Sequence, residues 1–147
     1  MTYYEWVEYF NMLETAPMDE KLLDSLTNKK LYGNDYVIQC ITAHVINTVK
    51  ARLNNSYYTC LDNIYINRND ITALEIDLIN FKKEKAFSKK IVNLSMFVPE
   101  LKDEFINSIN DIYNDMCNIL RNNIEYIDPN GEFTSVFDKT ISRNMEE

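Results

Sequence analysis

At 147 residues, with 46% hydrophobic and 26% charged side chains, the chain is the size of one ordinary domain and carries enough apolar surface to fold. Two Gly and three Pro argue against an all-β protein and against Gly-rich phosphate loops. A net charge of -8 is the wrong sign for a protein that neutralises nucleic-acid phosphates.

The first segment places Tyr3, Trp6, Phe10 and Leu13 at steps of three and four, one face of a helix with an aromatic stripe. Thr15, Ala16 and Pro17 followed by Asp19 and Glu20 read as a second helix start, with Leu22, Leu23 and Leu26 as its apolar face. That helix should stop near Lys29 and Lys30. Gly33 then carries the chain onward, and Asn34 or Asp35 caps a third helix.

Ile38, Ile41, Val45, Val49 and Leu53 mark the third helix, which the Asn54, Asn55 and Ser56 cluster weakens or ends. Residues 57–69 fit a short helix through Tyr57, Leu61, Ile64 and Tyr65, although their tyrosines and isoleucines also suit a strand. A loop follows around Asn67 to Asn69. In the next segment Ile71, Leu74, Leu78 and Phe81 favour a helix over the strand-like alternation of 74–78.

A phase change comes after Phe81. At about 100° per residue, Phe87, Ile91 and Leu94 fall roughly opposite the preceding stripe. Either the helix breaks within the Lys82 to Ala86 stretch, or its halves pack against different partners. From 98 to 126 a long helix is expected, with Pro99 in its first turn and Glu100, Asp103 and Glu104 near its positive dipole end. Leu101, Phe105, Ile109, Ile112, Met116, Ile119 and Leu120 form its apolar stripe. Glu100, Glu104, Asp111 and Asp115 gather on the other face with Asn107, Asn118 and Asn122.

Asp128, Pro129, Asn130 and Gly131 look at first like part of a calcium loop. With Gly131 as its obligatory glycine, such a loop puts its first and last ligands at Tyr126 and Phe137, and neither side chain ligates calcium. The four residues match a type I turn instead. Phe133, Val136, Phe137 and Ile141 then form a terminal helix before a frayed tail at 142–147. The expected fold is all-α, a single domain over 1–147: a compact bundle of five to six helices with a long antiparallel hairpin of about 70–95 and 98–126.

Chemistry-bearing patterns are sparse. His44 is the single histidine, which excludes paired-histidine metal sites, and Cys40, Cys60 and Cys117 are odd in number and widely spaced. No metal, cofactor or catalytic residue is assigned. The nearest candidate for catalysis is the pair Cys40 and His44, one helical turn apart. The lysine run of Lys82, Lys83, Lys85, Lys89 and Lys90 lies alongside the acids of the last long helix if the hairpin closes, so the two partly neutralise one another. As a nucleic-acid patch it lacks interleaved aromatics.

Ten tyrosines exceed what one small core hides, and tyrosine suits interfaces. These observations point to a non-enzymatic, cytoplasmic protein-interaction module with a basic protein partner. In its concrete form this is an immunity protein, antitoxin or inhibitor of a basic enzyme. The partner-binding candidates are Glu100, Glu104, Asp111, Asp115, Tyr3, Tyr4 and Tyr9. Direct nucleic-acid binding and membrane insertion are not expected, because the charge is negative and no apolar run approaches the roughly 20 residues of a membrane helix. Two alternatives stay open. One is a small-ligand-binding or enzymatic bundle using His44, Cys40 or Arg52, and the other is a self-associating regulatory helical protein.

Overall fold

The computed structural model describes residues 2–23, 35–66, 70–95, 102–128 and 130–142. Among these residues the fold is all-α. It comprises α1 (Tyr3–Leu13), a 3-10 turn (Glu20–Leu23), α2 (Asp35–Ile66), α3 (Ile71–Ser95), α4 (Lys102–Ile127) and α5 (Glu132–Ser142). No strand is present among them, and none of these helices is long and apolar enough to cross a membrane.

The chain divides into two compact units, Met1–Arg52 with Phe87–Asn110 and Leu53–Ala86 with Asp111–Glu147. Each unit takes one half of α2, α3 and α4. The second half of α3 shares the first unit with the first half of α4, and the first half of α3 shares the second unit with the second half of α4. That pairing is the antiparallel hairpin expected for 70–95 and 98–126. Residues 98–101 lie outside the described residues, as do Leu26, Lys29, Lys30, Gly33, Asn34, Asn67 to Asn69 and the end of the tail at 143–147.

In the first unit α1 starts at a capping box. Thr2 Oγ1 accepts the Glu5 amide at 3.2 Å, and Glu5 Oε1 accepts the Thr2 amide at 3.3 Å. The aromatic stripe packs inward as its spacing predicts, with Trp6, Phe10 and Leu13 buried and Trp6 stacked on Phe10 at 5.8 Å. The expected second helix is, in the described residues, only the 3-10 turn, where Asp19 Oδ1 accepts the Lys21 amide and Leu23 is buried.

α1 runs in the same direction as α2. Tyr3 meets His44, the Thr48 hydroxyl donates to the Phe10 carbonyl at 3.1 Å, and Arg52 reaches the end of α1. The Arg52 guanidinium is buried. Its Nη1 donates to the carbonyls of Leu13 at 2.5 Å and Ala16 at 2.7 Å, and its central carbon stands 4.6 Å from the Phe87 ring centroid. A helix end carries orphan carbonyls and partial negative charge, so a cation held there satisfies both.

The break expected at Asn54, Asn55 and Ser56 does not occur. α2 continues through them to Ile66, which also settles the first ten of residues 57–69 as helix. Leu53, Tyr57, Cys60 and Ile64 are buried in the second unit. Burying them outweighs the helix propensity of Asn and Ser, a loss of at most about 0.7 kcal/mol per residue. Each half of α2 thus buries its own set of side chains in its own unit.

α3 resolves the phase change in the same way. It is unbroken through Lys82 to Ala86, with Leu74, Leu78 and Phe81 buried in the second unit and Phe87 and Ile91 in the first. Ser88 and Val92, in line with the earlier stripe, are buried too, so the second half hides a wider arc.

On α4 the stripe is rotated from its expected position. Ile109, Tyr113, Met116, Cys117, Leu120 and Ile124 are buried, whereas Ile119 is 45% exposed. The reason lies in the second unit, where the Tyr113 ring fits against Phe81 at 4.8 Å, so the helix turns the Tyr113 side inward. α5 closes that unit through buried Phe137 and Thr140.

Candidate interaction surfaces

The second unit presents the polar face of α4. Asp111 and Asp115 are exposed, as is Glu104 on the part of α4 in the first unit. Glu100 lies outside the described residues. None of the three described carboxylates has an ion pair or hydrogen bond among the described residues.

Two of the lysines expected beside them, Lys82 and Lys85, make contacts elsewhere. The Lys82 ammonium donates to the Thr140 carbonyl at 3.1 Å in the last turns of α5, and Lys85 lies 4.6 Å over the Tyr113 ring. Both contacts are on the inward side of the hairpin, because the α4 stripe is set by Tyr113. Glu104, Asp111 and Asp115 thus have no cation paired with them among the described residues, and their field reaches solvent.

Ile119 follows Asp111 and Asp115 at four-residue steps, and Tyr126, 87% exposed, falls in the same strip two turns further on. Next to Ile119, Asn123 accepts the Tyr65 hydroxyl on Oδ1 and donates its amide to the Ile119 carbonyl at 2.8 Å. Tyr65 comes from α2 and is 40% exposed. Tyr58, seven residues earlier on the same side of α2, is also exposed, and its ring is braced by Tyr57 at 5.2 Å. Sequence reasoning missed Tyr58, Tyr65, Ile119 and Tyr126. The signal for Ile119 was its place at the edge of the apolar stripe, next to Asp115 on the wheel.

At the far end of α4 the Asp128 carboxylate caps α5. Burial pushes its pKa up, but the Thr134 amide at 2.8 Å and hydroxyl at 2.9 Å, with the amides of Phe133 and Gly131, outweigh that and hold it below the usual carboxylate range. Pro129, the expected corner of the turn, lies outside the described residues. Gly131 has φ 76°, a left-handed conformation that L side chains rarely adopt. Arg121 hydrogen-bonds Asp138 at 2.9 Å and also pairs with Glu125. The Arg121 hydrogen bond lowers the Asp138 pKa and raises that of Arg121. These groups border an open depression of about 550 Å³ that includes Glu125, Asp128, Thr134 and Asp138. Its carboxylates are already engaged, Glu125 and Asp138 by Arg121 and Asp128 by the start of α5.

In the first unit the tyrosine candidates separate. Tyr3 and Tyr4 meet edge to face at 5.5 Å, and Tyr3 meets His44 at 6.4 Å. Tyr9 instead packs on Trp6 and Phe10 on the other flank of α1. Tyr36, 73% exposed, joins the Tyr3 side, and the neighbouring Cys40 thiol raises its pKa. Cys40 and His44, the pair considered for catalysis, are both half-buried on α2, with Tyr36 beside the thiol and Tyr3 beside the imidazole.

Cys60 and Cys117 are buried in the second unit. The Cys60 thiol donates to the Asp77 carbonyl at 3.4 Å, and burial, with Asp77 and Cys117 nearby, pushes its pKa up to about 12. Burial likewise raises that of Cys117. Among the described residues no group of His, Cys, Asp or Glu is placed to hold a metal ion. The arrangement offers anchors for a macromolecule: rigid aromatic and aliphatic side chains beside carboxylates open to solvent. No family model, curated protein or solved structure matches the chain.

Proposed function

We propose that the chain is a non-enzymatic protein-interaction module that binds a basic protein partner and neutralises it. The observation that carries this reading is the set of exposed carboxylates of α4, Glu104, Asp111 and Asp115, with no cation on them among the described residues. Like charges on a rigid helix steer an oppositely charged protein toward encounter and disfavour acidic competitors. A net charge of -8 adds to the same field.

The concrete form is an immunity protein, antitoxin or inhibitor whose carboxylates cover the basic surface of a nuclease or other nucleic-acid enzyme. The test is co-purification of the tagged chain from its native cell at about 0.1 M and about 1 M salt, the latter shortening the Debye length to roughly 3 Å. A stoichiometric basic protein held at low salt and depleted at high salt is the expected result. Recovery of the chain alone at both salts overturns the reading.

A further inference from the structure

The exposed groups of the second unit do more than carry charge, and resting on the reading above, the geometry points to their occupant. It is a basic amphipathic helix of the partner protein, seated on the shoulder formed by Tyr58 and Tyr65 of α2 and Ile119 and Tyr126 of α4.

Four large side chains lie open there, and they come as two pairs. Tyr58 and Tyr65 are seven residues apart, as are Ile119 and Tyr126, so each pair marks two helical turns, roughly 10 Å along its helix. An amphipathic helix repeats its apolar side chains over the same distance. The hydrogen bond from Tyr65 to Asn123 ties α2 to α4 within this unit, and the Asn123 bond to the Ile119 carbonyl fixes its amide. Less side-chain freedom is then lost when a partner docks.

Charge identifies the visitor. Asp62 stands between the two tyrosines on α2, and Asp111 and Asp115 precede Ile119 on α4. All three are exposed, without an ion pair or hydrogen bond among the described residues. Carboxylates thus flank the apolar groups on both contributing helices. A neutral or acidic segment leaves them uncompensated, whereas Lys or Arg on the rims of a docked helix pairs with them. The secondary structure limits the mode of docking as well. Both elements are helices whose backbone groups are spent internally, so the shoulder offers no sheet edge for an added strand.

The experiment places a photo-crosslinking amino acid in the full chain, one position at a time, at Ile119, Tyr65, Tyr4 and Tyr36 in the native cell, with circular dichroism confirming each fold. The expected result is an adduct from Ile119 and Tyr65 with one protein, mapped to a segment rich in Lys and Arg with apolar residues every three or four positions. Its yield should fall about tenfold with Asp111→Lys and Asp115→Lys together. Adducts from Tyr4 and Tyr36 alone overturn this docking site while leaving the basic-partner reading intact on another face. Adducts to a second copy of the chain, or to a segment lacking basic residues, also overturn it. No adduct from any of the four positions overturns this docking site, and co-purification at the two salts then decides the basic-partner reading by itself.

Discussion

Each unit secures a short helix with a cation from a long one, and the two fastenings differ in depth. In the first unit Arg52 is 4% exposed and serves the Leu13 carbonyl at the end of α1 and the Ala16 carbonyl just beyond it while covering Phe87. In the second unit Lys82 is half-buried and donates to the Thr140 carbonyl near the end of α5. The electrostatic logic is shared, because both cations sit where helix carbonyls lack partners. The difference teaches that the depth of the cation sets how much such a contact is worth: removing a deeply buried guanidinium leaves its acceptors dry, whereas water can follow a half-buried ammonium.

The largest contrast between the units lies in their thiols. Cys60 and Cys117 of the second unit are buried with raised pKa values, whereas Cys40 of the first is half-exposed. A thiol-specific reagent at pH 8 should modify Cys40 at least about a hundredfold faster than the other two, with all three reacting after unfolding. Equal rates would show that the core of the second unit opens readily.

Replacing the two cations tests the comparison itself. Arg52→Met should cost about 2–4 kcal/mol in urea unfolding, since two inward-facing carbonyls lose a charged donor, and Arg52→Lys should recover little because an ammonium lacks the planar fork. Lys82→Met should cost only about 0.5–1 kcal/mol. Similar losses for both would refute the role given to depth.

Ser88 sharpens the same point with the opposite sign. Its hydroxyl is fully buried with no hydrogen-bond partner, so Ser88→Ala should stabilise the protein by about 1 kcal/mol, read as a raised Tm.

The smallest effect concerns acid. Asp128 and Asp138 have folded pKa values below the unfolded value of about 3.9, so their stabilisation is present above that pH and is lost as pH falls through the folded values. Stability measured below about pH 4 should fall less steeply in an Asp138→Asn, Asp128→Asn double variant than in the parent.

The surfaces were only partly legible in the sequence. Glu104, Asp111 and Asp115 are exposed as their wheel position implies, because a wheel reports which residues share a side. It does not report where the inward side begins and ends. Tyr113 against Phe81 settled that, moved Ile119 outward, and thereby put an apolar anchor among the acids. Tyr3 and Tyr9 both looked available, yet they fall on opposite flanks of a stripe whose partner lies on α2.

By itself the sequence determined the helical class, the inward face of α1 and the failure of the calcium signature at Asp128 to Gly131, since periodicity, turn chemistry and ligand type are all local. It also registered the change of face along α3 without choosing between a break and a change of partner. Tertiary structure made that choice. It carried α2 across Asn54 to Ser56 and α3 across Lys82 to Ala86, because each half of each helix finds its own core and its burial exceeds the local cost of continuing. The contacts from Arg52 to Leu13 and from Lys82 to Thr140 join residues 39 and 58 positions apart, a separation over which no local pattern carries information.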